Sequence, residues 1–558
     1  MAGTGGIVRW LLRLATASLL VSCGGGGSTT SDGAVPTPEE NTGGGTTTPP
    51  TTPPGDSSSP PTTGGPVDAS GLPAFPGAEG FGAGASGGRG GRVITVTSLA
   101  TSGPGSLQAA LDERGARTIV FAVSGLIDGP VVLTHGDVTV AGQTSPGGIT
   151  VRGFVIQGDV VCEDDSPACV PSEAPSNFIV RFIRSRDPSE AVDPSALAGG
   201  DTFRLHRARN GILDHVSAGN AYDEAFQVSL SSDITIQYSL LAETLGEHSD
   251  LGGMLINYSD PTRGYPLTRL TLHHNLWNRI SGRLPEFSRE NFPSARGSVM
   301  DIEMAYNLIW DPSFPIWLGL SCDPSGPDPL ACPADYRMNL VGNLFMARAP
   351  RFNHGMMTLE GALAPSEGYL PPSRATRLFL QGNGVNLFPD AHDLQLIYCC
   401  NDYGEALANG GLPYPDASSL PPFVVASRHD FPVVTATSGE TLADHLAAQA
   451  GAFPRDPMDT RLMAAVLSRT FSTAAVNSNP AGDALAIVAG ASAAPADGDG
   501  DGLPDSWEQA HGLDPQSDSS AGTDLGNDAT NGIIGCSAGY TNLECYLNET
   551  AAARLGGR

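Results

Sequence analysis

Lysine is absent from this chain of 558 residues, so all 30 of its basic residues are arginine. Without an ammonium side chain, the protein has no residue for a Schiff base, a lysine nucleophile or a phosphate-binding P-loop. Charged residues are also scarce, at 16%, and acidic ones prevail, with a formal net charge of -29. Such acidity argues against a nucleic-acid-binding protein, which would present a basic face.

Long apolar runs are missing as well, and none reaches the roughly 20 residues of a membrane-spanning helix. What the chain has in abundance is glycine, with 70 residues, and proline, with 45. The length is sufficient for a sizeable core and more than one domain. These features together predict a large, glycine-rich, acidic and secreted protein.

Residues 1–22 have the pattern of a bacterial lipoprotein signal peptide. Residues 20–23, Leu-Val-Ser-Cys, look like a lipobox, which predicts cleavage before Cys23 and lipid attachment to its sulfur. Ordinary signal cleavage with an incidental Cys23 is the alternative. Residues 23–72 are almost entirely Gly, Thr, Ser and Pro, a composition that cannot bury enough apolar surface to fold. We therefore predict a tethered protein at the outer membrane, cell surface or periplasm, in contact with the membrane through its lipid only.

The nine cysteines are an odd number, but setting Cys23 aside leaves eight that fall into close pairs. Short closed loops of this kind are plausible disulfides in an oxidising compartment. The vicinal pair of Cys399 and Cys400 is left open, because a bridge between neighbours is strained. The predicted pairs are Cys162 with Cys169, Cys322 with Cys332, and Cys536 with Cys545.

Residues 73–400 consist of short apolar or alternating runs broken by Gly, Asn, Asp and Pro, which are strand signals. Asn275, Asn307, Asn343 and Asn383 each follow a short strand, at separations of 32, 36 and 40 residues. Repeats of this size indicate stacked units, and stacked amides can form a hydrogen-bonded ladder inside a solenoid. We predict an all-β, right-handed parallel β-helix, with a β-propeller or sandwich as the alternative. Asn177 and Asn210 show the same pattern earlier in the chain.

Residues 401–490 form a C-terminal extension in which the pattern becomes helical from Gly439 to about Thr470. Two amphipathic segments there predict a pair of helices that covers an end of the solenoid.

Residues 491–558 contain a twelve-residue motif of the EF-hand-like calcium loop. Gly502 stands where the loop turns sharply, and carboxylates occupy the other constrained positions. Five carboxylates in twelve residues would repel one another without a cation, although a flexible acidic linker is the alternative. No upstream helix is evident, so we predict a calcium-binding module with a structural role and not a paired calcium sensor. The predicted calcium ligands are Asp497, Asp499, Asp501, Asp505 and Glu508.

Glycine-rich and acidic motifs follow one another in order along most of the chain. They are FPGAEGFG at 75–82, GGRGG at 87–91, GPGSL at 103–107, AGQTSP at 141–146, LDH at 213–215, YDE at 222–224, HHN at 273–275, GRLP at 282–285 and GYTNLE at 539–544. The series resembles polysaccharide lyase family 1, the pectate lyases, over residues 74–548. The resemblance implies a right-handed parallel β-helix, Ca²⁺ at the active site and eliminative cleavage of polygalacturonate.

The resemblance also implies roles for single residues. Asp201 and Asp223 match two calcium-binding aspartates of the family, with turn capping as the alternative reading of both. The third acidic position is Gln227 here, and Glu224 is the candidate to replace it. Arg283 matches the family's general base. Since a guanidinium normally stays protonated, Arg283 could instead clamp a substrate carboxylate while another group takes the proton.

Two departures from the family pattern reduce the positive charge where a polyanion should lie. Glu286 stands where the family has a further arginine, and the substrate-binding lysine near residue 248 is missing. Compensating substrate-binding residues are predicted from the remaining cations and histidines nearby. They are His248, His273, Arg279 and Arg289.

These features predict a monomeric, calcium-dependent lyase that acts on an acidic, pectate-like polysaccharide. One alternative is a β-helix glycoside hydrolase with two catalytic carboxylates. Asp223 and Glu224 are poor candidates for that pair, because neighbouring strand residues point apart. The other alternative is a non-catalytic glycan-binding surface protein that keeps the scaffold after losing part of the site.

Overall fold

The chain winds into coils that each contribute one short strand to each of three sheets, here named the first, second and third sheets in the order the chain visits them. Neighbouring strands within each sheet are parallel. The structure thus confirms the predicted right-handed parallel β-helix. This computed structural model describes residues 71–158, 173–187, 200–245, 252–287, 295, 297–319, 335–349, 352, 355–360, 375–398 and 423–556.

The strands are short, and their positions within a sheet follow chain order. The first sheet contains Arg92–Val96, Arg117–Phe121, Val138–Ala141, Ser176–Arg181, Arg209–Asp214, Ser232–Gln237, Thr268–His273, Val299–Ala305, Asp335–Val341 and Arg377–Gln381. The second contains Gly125–Ile127, Ile149–Val151, Ile183–Arg186, Ser217–Gly219, Leu240–Ala242, Leu276–Asn278, Leu308–Trp310, Leu344–Met346 and Gly384–Val385. The third contains Val131–Leu133, Phe154–Gln157, Phe203–His206, Phe226–Ser229, Met254–Asn257, Glu286–Phe287, Ile316–Gly319, Met357–Glu360 and Ile397–Tyr398.

The core lies inside the coils, where alternate strand residues point inward and stack on the same residue of the next coil. Phe154, Phe203 and Phe226 are register partners in the third sheet. Their ring centroids are 5.8 Å and 4.9 Å apart along this stack. Because inward residues are fixed in this way, the residues between them face outward, and the position of every turn is fixed along the solenoid axis.

The predicted asparagine ladder is present and buried. The side-chain amide of Asn275 donates to Oδ1 of Asn307 at 3.1 Å, and that of Asn307 donates to Oδ1 of Asn343 at 2.9 Å. Asn343 continues the ladder to Asn383 at 3.0 Å. Asn177 has a different role, since its Oδ1 accepts the backbone amides of residues 86 and 87. The ladder therefore satisfies buried amides over four consecutive coils.

Substituting Asn307 with alanine should lower the free energy of unfolding by about 3 kcal/mol, because buried donors of Asn275 and a carbonyl of Leu272 lose their partner. Urea unfolding followed by circular dichroism measures the loss. Asn527→Ala is the matched control, since Asn527 is exposed and bonds only to Thr523 through its side chain among the described contacts. Equal losses in the two variants would show that the ladder adds no stability.

The glycine-rich segment at residues 75–91 lies across the outer face of the first sheet. Backbone amides of Phe81 and Gly88 donate to the hydroxyls of Thr271 and Thr139, each at 3.0 Å. A Cβ on Gly82 would lie 2.1 Å from a backbone oxygen of the sheet, so only glycine permits this approach. The segment thereby covers this face of the solenoid.

Six α-helices and three 3₁₀ helices accompany the strands in the described part of the chain. The α-helices are Leu107–Leu111, Gly439–Gln449, Pro457–Leu467, Asp505–His511, Asp524–Asn527 and Asn542–Arg554, and the 3₁₀ helices are Gly142–Thr144, Pro261–Arg263 and Asp393–Leu396. None of the helices formed by described residues has the length and apolar character required to span a bilayer.

The helices Gly439–Gln449 and Pro457–Leu467 do form in the predicted region, but they cover a side of the solenoid and not an end. Leu442 and Leu446 pack with Leu240 and Leu276, which belong to the second sheet. Their position differs from the prediction because an amphipathic pattern shows that one helix face is buried, without showing which surface buries it. The described residues of the extension and of the calcium-loop module belong to the same compact unit as the solenoid.

A buried ionic cluster fixes the helix Pro457–Leu467 to the second sheet. Arg184 and Arg186 point outward from one strand and meet Asp456 and Asp459, and all four side chains are at most 1% exposed. Nε of Arg184 lies 3.3 Å from Oδ2 of Asp456, and Arg186 contacts Asp459 directly. Asp459 also accepts the hydroxyl of Ser217 at 2.7 Å. Burial lowers the pKa of Arg184 and raises that of Asp456, so each charge depends on its partners.

Candidate active site

Three acidic side chains meet at the turns that lead into the third sheet. Asp201 lies two residues before the strand that starts at Phe203, and Glu224 lies two residues before the next strand, which starts at Phe226. The backbone amide of Glu224 donates to Oδ1 of Asp201 at 3.1 Å. One carboxylate oxygen each from Asp201, Asp223 and Glu224 lie within 4.8 Å of one another. The structure therefore brings together all three predicted ligands of the first calcium site.

This donor set fits a hard divalent cation. Asp201 and Glu224 are each 2% exposed, so their charges are largely removed from water and repel one another. Calcium accepts carboxylate oxygens in flexible geometry and leaves coordination positions for other oxygens. Gln227, at the position where the family has an acidic residue, lies on the adjacent strand, while Glu224 completes the acidic group. The predicted replacement of Gln227 by Glu224 is thus compatible with the geometry.

Arg283 reaches the same acidic group from two coils further along the solenoid. Its guanidinium forms an ion pair with Glu224, and its Nε lies 3.1 Å from Oε2 of Glu286. Gly252 and Gly253 occupy the turn of the intervening coil, and a Cβ on Gly253 would lie 1.9 Å from the backbone oxygen of Arg283. Only glycine at position 253 therefore allows the backbone that carries Arg283 to approach this coil so closely.

The backbone of Arg283 adopts φ +57°, a left-handed conformation that non-glycine residues rarely occupy. Such conformations persist where surrounding contacts hold them, and in this chain they recur at other turns of the solenoid, for example at His215, Tyr238 and His274. The backbone oxygen of Arg283 accepts the amide of Met254 at 2.7 Å, which ties this turn to the coil below. The candidate base is consequently held on rigid backbone.

The prediction that His273 binds substrate needs correction, because its side chain is fully buried. Its Nε2 lies 3.0 Å from Oε1 of Gln237, and its Nδ1 lies 2.9 Å from Nδ1 of His274. Burial, together with the neighbouring imidazole, lowers the pKa of His273 well below 6.5. Burial also lowers the pKa of His274 to about 3. Both rings are neutral structural groups near pH 7, and neither offers a surface to a polysaccharide.

Arg279 is likewise not available to substrate. Its side chain is 4% exposed, with Nε at 3.2 Å from a carboxylate oxygen of Glu243. It also donates to the backbone oxygen of Ala475 at 2.6 Å, so it holds the C-terminal extension against the solenoid. The remaining two predicted substrate-binding residues, His248 and Arg289, lie outside the described residues.

Gln227 and Glu286, which the sequence singles out separately, belong to one row of side chains on the outer face of the third sheet beside Arg283, and the other members of this row give no signal in the sequence. Register pairs connect them one coil at a time, and each of them has an inward-facing core residue next to it in the chain. The spacing between successive members varies from 23 to 31 residues, so no fixed period reveals them in the sequence. This outer row consists of Arg204, Gln227, Leu255, Glu286 and Trp317.

The predicted calcium loop of the C-terminal module has the features of a cation site. Carboxylate oxygens of Asp497, Asp499 and Asp501 lie within 4.8 Å of one another. Oε2 of Glu508 and Oδ2 of Asp499 are buried and accept no hydrogen bond from the described residues. Burial and the charges of Asp501 and Asp499 raise the pKa of Glu508 to about 7. A calcium ion would satisfy these oxygens and relieve their repulsion.

The rest of the module anchors this loop to the solenoid. Leu503, in the loop, packs with Val120 of the first sheet and with Leu543. Asp505 accepts the backbone amide of Gly498 at 2.6 Å and starts the helix Asp505–His511. The structure contains the predicted disulfide Cys536–Cys545. Cys23 and the other three predicted or open pairs, Cys162–Cys169, Cys322–Cys332 and Cys399–Cys400, lie outside the described residues.

Several known proteins resemble this chain over most of its length. No family model matches the chain. A protein named "Probable pectate lyase C" from Neosartorya fischeri is 30% identical over 493 residues, covering 86% of this chain and 94% of that protein. Its namesake from Aspergillus terreus is 30% identical over 495 residues, with the same coverage. Among solved structures, a pectate lyase from Bacillus sp. N165 in complex with trigalacturonate is 14% identical, with a TM-score of 0.38, covering 67% of this chain and 98% of that one.

Proposed function

Because the chain belongs to the pectate lyase family and is thus a polysaccharide lyase, we propose that it cleaves pectate-type uronate polymers by calcium-dependent β-elimination outside the cell. The observation that carries this proposal is the position of Glu224. Its carboxylate belongs to the acidic group with Asp201 and Asp223, and it also contacts the guanidinium of Arg283. A candidate cation site and a candidate base therefore share one side chain.

The reaction requires removal of the proton on the sugar carbon that bears the carboxylate. We assign this proton transfer to Arg283, whose guanidinium first passes a proton to the carboxylate of Glu286 at 3.1 Å and then accepts the proton of the sugar carbon. The electron pair of the broken C–H bond forms a double bond to the neighbouring ring carbon, and the bond from that carbon to the glycosidic oxygen breaks. The expelled oxygen takes up a proton, so the products are one unsaturated and one saturated chain end.

Asp201, Asp223 and Glu224 would hold the calcium ion. When bound, calcium withdraws charge from the substrate carboxylate and stabilises the enolate-like transition state. The three side chains also allow an acidic protein to bind an acidic polymer, because they position a cation between two anionic surfaces. Glu286 and Glu224 orient the guanidinium of Arg283 from two sides.

The N-terminal residues bear on where the protein acts. We propose that the signal peptide at residues 1–22 exports the chain and that lipid on Cys23 anchors it through the linker that ends at residue 72. The calcium loop at residues 497–508 would then serve stability, since it lies against the first sheet and not among the third-sheet turns.

Removing calcium with a chelator should abolish formation of the ultraviolet-absorbing unsaturated product from polygalacturonate, and added calcium should restore it. Asp201→Asn should raise the calcium concentration for half-maximal rate by about tenfold, because one charged ligand is lost. Asp501→Asn is the matched control. It should lower the calcium-dependent rise in melting temperature but leave the calcium concentration for half-maximal rate unchanged. Full turnover in chelator would contradict the metal role.

A further inference from the structure

We propose that Glu286 is a positioning residue that holds Arg283 when Glu224 binds calcium, so that the arginine becomes available to substrate only at a calcium-loaded site. The inference rests on the calcium site of the proposed function and adds to it the order in which that site assembles. It starts from one pattern of contacts, in which the guanidinium of Arg283 lies between the carboxylates of Glu224 and Glu286.

The two carboxylates that contact Arg283 belong to different groups. Glu224 is a member of the acidic group with Asp201 and Asp223, whereas Glu286 is not a member of it. Arg283 also uses different atoms for them, since its Nη1 contacts Glu224 and its Nε lies 3.1 Å from Oε2 of Glu286. One contact can therefore be lost while the other is kept.

Calcium and the guanidinium of Arg283 compete for Glu224. In the metal-free site the guanidinium offsets part of the repulsion among the three carboxylates, of which Asp201 and Glu224 are almost fully buried. A divalent cation on Glu224 would stand next to a guanidinium that is itself only 15% exposed, so water would screen the repulsion between them weakly. The contact between Arg283 and Glu224 is the one that yields.

Glu286 is placed to keep the displaced guanidinium. Its strand, Glu286–Phe287, is paired with a parallel strand on each side, through Leu255 and Trp317, so its backbone is fixed whether or not calcium is bound. The side chain is largely buried, and a charge-assisted hydrogen bond in such a place is stronger than one on an open surface. Arg283 therefore stays at the site through its Nε while its Nη1 is released from Glu224.

This exchange links the state of the arginine to the state of the cation site. Arg283 is held at two points in the metal-free site and at one point in the calcium-loaded site, where Nη1 can face the substrate. The arginine then reaches its active state only when a cation is present to withdraw charge from the sugar carboxylate.

Isothermal titration of the full-length protein with calcium tests the exchange without reference to activity. The binding step that Asp201→Asn weakens belongs to this site, and the step that Asp501→Asn weakens belongs to the C-terminal loop. Arg283→Gln should lower the Kd for calcium at this site about tenfold, because the competing charge is removed. Glu286→Gln should raise that Kd about fivefold, because the guanidinium loses its second carboxylate and stays with Glu224.

The double variant separates this role from a direct attraction between Glu286 and calcium. If Glu286 acts through Arg283, adding Glu286→Gln to Arg283→Gln should change the Kd by less than about twofold. A fivefold loss that persists in the double variant would overturn the inference. Arg337→Gln and Glu113→Gln are the matched controls, since both residues form ion pairs elsewhere on the protein, and they should leave the Kd unchanged.

A crystal structure with calcium bound gives a second measurement, which decides the question when circular dichroism shows that Arg283→Gln does not fold. Arg283 should keep its hydrogen bond to Glu286 and lie beyond hydrogen-bond distance of Glu224. A guanidinium still bonded to Glu224 beside the bound ion would overturn the inference and leave the proposed lyase function standing. If the wild-type protein shows no binding step that Asp201→Asn weakens, the calcium site of the proposed function itself fails.

Discussion

Replacing Arg283 with alanine should lower the rate of uronate cleavage by about 10²- to 10⁴-fold, the range expected when a positioned base is removed. The guanidinium forms an ion pair with Glu224, which belongs to the carboxylate group with Asp201 and Asp223. Its backbone is tied to the neighbouring coil, so loss of the side chain should leave the turn in position. The deficit should therefore appear in kcat.

The measurement is the initial rate of unsaturated product formation at saturating substrate and calcium, with melting temperature recorded for each variant. Arg337→Ala is the matched control, because Arg337 is also an ion-paired arginine, bound to Asp301 on the first sheet. It should keep nearly full activity. A rate for Arg283→Ala within a few-fold of wild type would assign the proton transfer to another residue.

Replacing Asp459 with alanine should lower the free energy of unfolding by about 3–5 kcal/mol, the usual result of leaving a buried charge without its partner. Asp459 contacts Arg186 and accepts the hydroxyl of Ser217, and its side chain is fully buried. Its removal leaves two arginines at the second sheet with Asp456 alone. The helix Pro457–Leu467 should detach first, because this cluster joins it to the solenoid.

Urea unfolding followed by circular dichroism measures this loss of stability, with the helical signal and the total ellipticity recorded separately. Asp444→Ala is the control on the neighbouring helix, where Asp444 is 61% exposed and pairs with Arg469. A surface pair of this kind contributes about 0–1 kcal/mol. If the two variants lost equal stability, the buried cluster would have no special part in holding the helix.

The features that the sequence predicts well are those repeated once in every coil. Asn275, Asn307 and Asn343 could be aligned because each follows a strand, and the ladder follows directly from that alignment. Asp201 and Glu224 come together for the same reason, since each precedes a strand of the third sheet. Their metal role stays a prediction.

The features that the sequence predicts poorly depend on what covers each surface. His273 and Arg279 have the chemistry of substrate-binding residues, but the first and second sheets bury them, and Arg279 is further covered by the C-terminal extension. The partners of Arg186 lie about 270 residues away, and no local pattern connects them. Trp317 gives no signal by itself, because its place beside Glu286 depends on strand register.

The stacked turns of the third sheet have a consequence for how such a site can diversify. Residues 201 and 224 are 23 apart, whereas 255 and 286, which lie in the next two coils, are 31 apart. The hydrogen-bonded strands alone set the axial distance between these turns, so insertions in the segments between them do not alter it. Peripheral loops can therefore lengthen, shorten or exchange during evolution and reshape the walls of the groove, while the reacting groups keep their mutual spacing.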